Sequence, residues 1–212
     1  MKLPRLAILA AISIALAVPV AAQDDAIGAP GPIVFEETQF DLAWTSNPTE
    51  TYYKQEYVPE GQAVETYAEM FMIDLLTEGA TPQSAAADMV AGLEQRKGSD
   101  PVVNFELLSN EATGEIILDF LLSDSSSGTI IVEWNAYRYV PHGEGLALFA
   151  ISRRGYGDGA TEFIRGLGEW RRASIEALAM MGTAATGDGL TPKQPGKPGV
   201  SRVIGPTQIA AK

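Results

Sequence analysis

The chain contains no cysteine and only one histidine, His142, among 212 residues. Without thiols there is no disulfide framework, thiol nucleophile, zinc ribbon or Cys-ligated iron–sulfur cluster. A single imidazole is too few for the His-rich sites that zinc and copper prefer. Basic residues are also scarce, with 15 Lys and Arg against 27 Asp and Glu and a formal net charge of −12. That balance repels a phosphate backbone, so nucleic acid is not an expected partner. Crossing a bilayer takes an apolar run of roughly 20 residues, and none is present. The longest nearly unbroken one, Leu6 to Val18, has 13.

That short run reads as the core of a signal peptide. Lys2 and Arg5 precede it, and Val20-Ala21-Ala22 supplies the small residues a signal peptidase accepts. Residues 1–22 are therefore expected to be removed, leaving Gln23 as the mature start and no permanent membrane anchor. Because no cysteine follows, lipid attachment is not expected either. The mature charge is 13 − 27 = −14, since the signal carries two positive charges and no negative ones. Export to the periplasm or beyond the cell argues against chemistry driven by ATP, GTP or NADH. The acidic surface serves solubility, with a basic partner as the functional alternative.

With 46% hydrophobic residues, the chain suits a globular domain. Residues 23–34, rich in Ala, Gly and Pro, are expected as a flexible leader. Residues 182–212 carry Pro192, Pro195, Pro198 and Pro206 among Gly and Lys, and are expected as a disordered basic tail. One domain, 35–181, remains. Within it, Thr49 to Tyr57 reads as a strand closed by a turn at Pro59-Glu60-Gly61. Val64, Tyr67, Ala68, Phe71 and Leu75 recur at helical spacing up to Gly79. A second helix opens with Thr81 as N-cap and Pro82 at its first position, buries Ala85, Met89 and Leu93, and ends at a left-handed Gly98.

From Pro101 the period changes to two. Val103 to Leu107, Glu115 to Ser123, Thr129 to Val140 and Leu146 to Arg154 read as strands, joined by turns at Asn110–Gly114, Asp124–Gly128 and Pro141–Gly145. Phe163, Ile164, Leu167, Trp170, Ala177 and Leu178 mark a final amphipathic helix, with Arg165, Arg171 and Arg172 on its polar side. The expected fold is α+β in the order β-α-α-β-β-β-β-α. It is a twisted antiparallel sheet with helices packed over it, sandwich-like.

This order of elements, with the export signal and the size, resembles the group of small α/β/α sandwich proteins that includes PsbP and DcrB, across Phe35 to Met181. The segment Glu56 to Met70 is similar to a strand–turn–helix segment in exported proteobacterial proteins of unknown function. What the resemblance implies is an accessory or binding role outside the cytoplasm, with no binding residues to carry over.

Candidate chemistry is thin. Gly155-Tyr-Gly-Asp-Gly159 lacks the full dinucleotide fingerprint and reads as a turn before a helix. His142 sits in a Pro/Gly turn, exposed to solvent, and no G-x-S-x-G motif occurs to give it a serine partner. Asp124-Ser-Ser-Ser-Gly128 lacks the repeated acids of a calcium loop. Glu106, Glu115, Asp119 and Glu133 lie on strands, and their convergence would make a carboxylate-dependent glycan hydrolase. Tyr52, Tyr53, Tyr57 and Tyr67 cluster around the first strand and helix. Trp134, Asn135, Tyr137, Arg138 and Tyr139 mark a speculative ligand or partner surface, with Arg138 placed to pair with Glu133 or another acid. Alternating aromatics of this kind also simply pack a sheet face.

The expectation is an exported, non-enzymatic accessory or binding protein of the cell envelope, meeting an envelope protein or a small ligand. No catalytic residue, cofactor or metal is assigned. The alternatives are the glycan hydrolase and a protein inhibitor or immunity-like factor that meets a basic target.

Overall fold

In a computed structural model, the described residues are 24–182 and 189–193. The expected signal peptide, residues 1–22, and most of the expected tail lie outside them. Eight strands form one antiparallel sheet: β1 (Ile33–Phe35), β2 (Thr38–Thr49), β3 (Tyr52–Val58), β4 (Glu69–Leu76), β5 (Asn104–Asn110), β6 (Glu115–Asp124), β7 (Ile131–His142) and β8 (Gly145–Tyr156). They lie in the order β1-β2-β3-β4-β8-β7-β6-β5 and curl into a half-barrel. Two helices accompany them, α1 (Pro82–Arg96) between β4 and β5, and α2 (Ala160–Met180) after a short 3-10 turn at Gly157–Gly159.

This overturns the expected fold class and the order β-α-α-β-β-β-β-α, because the molecule is strand-rich and one of the expected helices is a strand. The helical spacing from Val64 to Leu75 misleads, since Glu69–Leu76 is β4, paired with β3 on one side and β8 on the other. Met70 and Met72 enter the core beneath α1, while Phe71, Ile73 and Leu75 enter the core beneath α2. A strand buried on both faces has no alternation to show. It presents a continuous apolar run that periodicity cannot tell from a helix. The strand–turn–helix reading of Glu56 to Met70 fails with it. Two further strands, β1 and β2, lie where none was expected, because β2 carries Pro48 and two register shifts that break its alternation.

Where local chemistry is strong, the elements stand where it puts them. Thr81 caps α1: its hydroxyl accepts from the Ser84 amide at 3.1 Å, and the Ser84 hydroxyl accepts from the Thr81 amide at 2.9 Å, with Pro82 at the first turn. The buried stripe is Ala86, Met89 and Leu93, one residue on from the expected Ala85. Gly98 is not left-handed, and the helix ends instead on a right-handed Lys97. Asp100 then locks that end. Its carboxylate accepts from Arg96 Nε at 3.0 Å, from the Ser123 amide at 2.6 Å and from the Ser123 hydroxyl at 2.7 Å.

The expected leader is not free either. Asp25 Oδ1 gathers the amides of Ile27, Gly28 and Ala29, and Ile27 is fully buried. Part of the expected tail docks beside it. The amides of Thr191 and Lys193 donate to the carbonyls of Ile27 and Ala26 at 2.9 Å each, Lys193 pairs with Asp25, and Leu190 is buried. His142 is half-buried rather than exposed, with Nε2 3.1 Å from the Leu190 carbonyl.

Candidate functional site

The β7–β8 hairpin organises the polar interior. Its register sets Glu133 opposite Arg154, Asn135 opposite Ser152, Tyr137 opposite Ala150 and Tyr139 opposite Leu148, all on the sheet face that α1 packs against. At one end of this row the network is dense. Arg154 Nε donates to Glu133 Oε2, Asn135 Nδ2 donates to Glu133 Oε1 at 2.9 Å, and the Tyr67 hydroxyl lies 3.2 Å from Glu133 and 2.9 Å from the Ser152 hydroxyl. The Arg154 guanidinium stacks 4.0 Å from the Tyr67 ring centre. Burial opposes its charge, but the Glu133 carboxylate more than compensates and holds Arg154 above its ordinary range. All five side chains are buried. A buried ion pair held by this many hydrogen bonds ties β7, β8 and the segment before β4 together.

At the other end, Asp74 of β4 faces Lys54 of β3. Asp74 Oδ2 accepts from the Tyr52 hydroxyl at 2.6 Å and from Lys54 Nζ at 3.0 Å. Burial, reinforced by the Asp74 charge, pushes the Tyr52 and Tyr139 phenols well up, so both stay neutral. Tyr137 is raised by burial first and by Glu133 next.

The opposite face is occupied by α2, fastened through three arginines. Arg171 engages Asp119 with two nitrogens and reaches Glu106 at 3.5 Å, while the Trp134 indole N–H also donates to Asp119. Arg153 lies beside the Trp134–Trp170 pair, 5.8 and 4.8 Å from the two ring centres, and bonds Glu36, Glu69 and Ser174. Arg138 pairs with Glu115 at 2.9 Å and donates to the carbonyls of Leu178 and Met181, capping the C-terminal end of α2.

The five residues singled out from the sequence are thus divided by the sheet. Asn135, Tyr137 and Tyr139 face α1, whereas Trp134 and Arg138 face α2, and all five are buried. They do not form one surface. Arg138 pairs with Glu115, not Glu133. Of the four strand carboxylates, Glu106 and Asp119 meet at Arg171, Glu115 binds Arg138, and Glu133 stands on the other face with Arg154. Each is matched to a guanidinium, the reverse of the split pair that glycoside hydrolysis needs. Of the aromatics near the first strand, Tyr53 and Tyr57 enter the α2-side core, while Tyr52 and Tyr67 belong to the two polar clusters. Asp124 Oδ1 accepts from the Ser126 amide at 2.8 Å, as a turn requires.

Sequence reasoning passed over Asp74, Lys54, Ser152 and Arg154. Asp74 had a signal, as the sole charge within the run Met70 to Leu76.

Strand β5 is the most exposed of the eight. It ends the sheet, pairs only with β6 and shows no register shift over its seven residues. Leu107 is 45% exposed and Leu108 44%, on opposite faces. The strand contains no proline, lysine or arginine, the usual means of blunting an edge. The other edge is protected: β1 covers the start of β2, whose remainder carries two register shifts and Pro48.

No described helix is long and apolar enough to cross a membrane. A protein-family model matches residues 27–183, a span that opens at the buried Ile27. No curated protein and no solved structure matches the chain significantly.

Proposed function

Because the chain belongs to the protein family whose model spans residues 27–183, a family of unknown function, its role must come from its own surface, and we propose that it is an exported, non-enzymatic binding protein of the cell envelope that captures an extended segment of a partner protein along β5. The observation that carries this reading is the open edge itself. Strand β5 pairs only with β6, so the backbone N–H and C=O groups of alternate residues point away from the sheet, and the exposed Leu107 and Leu108 stand at its middle, which is the template that strand addition uses. Backbone bonds supply affinity there, and pockets for alternate side chains supply selectivity.

The test is photo-cross-linking in the native envelope from a benzophenone amino acid at position 107, with position 34 on the other edge as control. The expected result is a discrete adduct from 107 that disappears when Leu108→Lys is added, while the melting temperature holds. An adduct equally strong from position 34, or one indifferent to Leu108→Lys, refutes β5 as the contact.

A further inference from the structure

We propose that the β2-ward end of the α1-facing sheet surface, where Trp44, Tyr52, Lys54, Asp74 and Tyr139 stand on four strands, binds a neutral polyhydroxylated ligand of the saccharide class. Strand register places these groups together: Tyr139 is opposite Leu148, Leu148 opposite Asp74, and Asp74 opposite Lys54, in one row across four neighbouring strands. Trp44 pairs with Glu56, one row along on the same face. Helix α1 packs on β5, β6 and β7, toward the other side of this face.

Hydrogen-bond supply and demand point to a ligand. Asp74 is held through Oδ2 alone, and its Oδ1 has no partner, although the side chain is only 5% exposed. An orphaned buried carboxylate oxygen is costly and calls for a donor. The Tyr139 hydroxyl likewise makes no hydrogen bond among the described residues, and Lys54 Nζ spends one of its three protons on Asp74. The free groups are therefore an acceptor, a donor and a hydroxyl that serves as either. Charge then narrows the class. Asp74 and Lys54 offset each other and Glu56, opposite Trp44 on the same face, adds a further carboxylate, so an anionic ligand is repelled, a cationic one meets the Lys54 ammonium, and the ligand must serve both an acceptor and a donor. Neighbouring hydroxyls, each able to donate and accept, answer both. Half-buried Trp44 and Tyr52 supply aromatic surface for the apolar face of a sugar ring.

Tryptophan fluorescence reads the site directly. Trp134 and Trp170 meet edge to face, 4.9 Å between ring centres, on the opposite face, which leaves Trp44 as the reporter. The mature chain is titrated with cellobiose, chitobiose and maltose, and in parallel with glucosamine and glucuronate as charged probes. Expected is a saturable change with at least one neutral sugar, lost in Trp44→Phe and weakened about tenfold in both Asp74→Asn and Tyr139→Phe, the loss of roughly one hydrogen bond. Tyr139→Phe removes a hydroxyl that bonds nothing, so its melting temperature should equal that of the parent, which separates lost binding from lost folding. The proposal is overturned if no neutral sugar gives a saturable change at its solubility limit, if a charged probe binds more tightly, or if both variants bind as the parent does. It does not depend on β5: Leu108→Lys should leave sugar binding unchanged.

Discussion

The guanidinium of Arg154 is clamped between the Glu133 carboxylate and the face of Tyr67, 4.0 Å from the ring centre, and all three side chains are buried. Removing either charge strands the other in the interior. Glu133→Leu or Arg154→Met should each lower the unfolding free energy by about 3–5 kcal/mol, whereas the two combined should cost clearly less than the sum. Urea denaturation of the two single variants and the double variant measures the coupling. Strict additivity would mean that the pair is not a unit.

Acid should loosen the junction of α1 with β6. Burial alone would raise Asp100, but the Ser123 hydroxyl and amide, with Arg96, more than compensate and hold it below the ordinary carboxylate range. Asp25 is lowered in the same way, against burial, by Lys193 and backbone amides. A folded pKa below the unfolded value of about 3.9 stabilises the native state above that value, and this is lost as pH falls through the folded pKa. Melting temperature followed from pH 7 downward should therefore drop steeply on the acid side. Asp100→Asn should start lower at pH 7 and show a shallower decline.

Gly145 is required for contact, not for conformation. A Cβ there would meet the Leu76 carbonyl oxygen at 2.0 Å, where β8 begins beside the end of β4. Gly145→Ala should destabilise by about 1–3 kcal/mol, the usual effect of overpacking. At Gly143 the space is open but φ is +56°, so Gly143→Ala should cost roughly 1 kcal/mol through backbone strain alone. Thermal unfolding of the two variants, ranked, checks both.

The segment 189–193 belongs to the folded body. Leu190→Ala should cost about 2–5 kcal/mol, as a buried leucine does, and truncation after Gly182 should destabilise in the same direction. Calorimetry of the full chain, Leu190→Ala and the form truncated after Gly182 measures both.

Legibility followed the chemistry of each segment. Thr81-Pro82 announced α1 because a capping hydroxyl and a donor-free first residue are local instructions. The hairpins from β5 to β8 were visible because each joins alternating strands through Asn, Ser or Gly turns. Placing the last turn at His142–Gly145 was enough to set Glu133 opposite Arg154, so that pair lay within reach. Strand β4 was hidden because Met70 to Leu75 is buried on both faces, and β2 because its shifts and Pro48 erase the period. The division of Trp134 and Arg138 from Asn135, Tyr137 and Tyr139 follows from strand pleat alone, whereas their burial depended on α1 and α2 lying on opposite faces.

The pairing of Lys193 with Ala26, and of Ala26 with Gln55 of β3, brings the chain's way in and way out to one flank of the sheet. Five strand-to-strand steps separate β3 from β5 in the sheet order, about 24 Å along its curve at the usual strand spacing. Anything joined before Asp24 or after Lys193 therefore leaves from the side remote from Leu107 and Leu108. A rigid attachment made directly at Asp24 or Lys193 would hold the molecule with its open edge pointing outward.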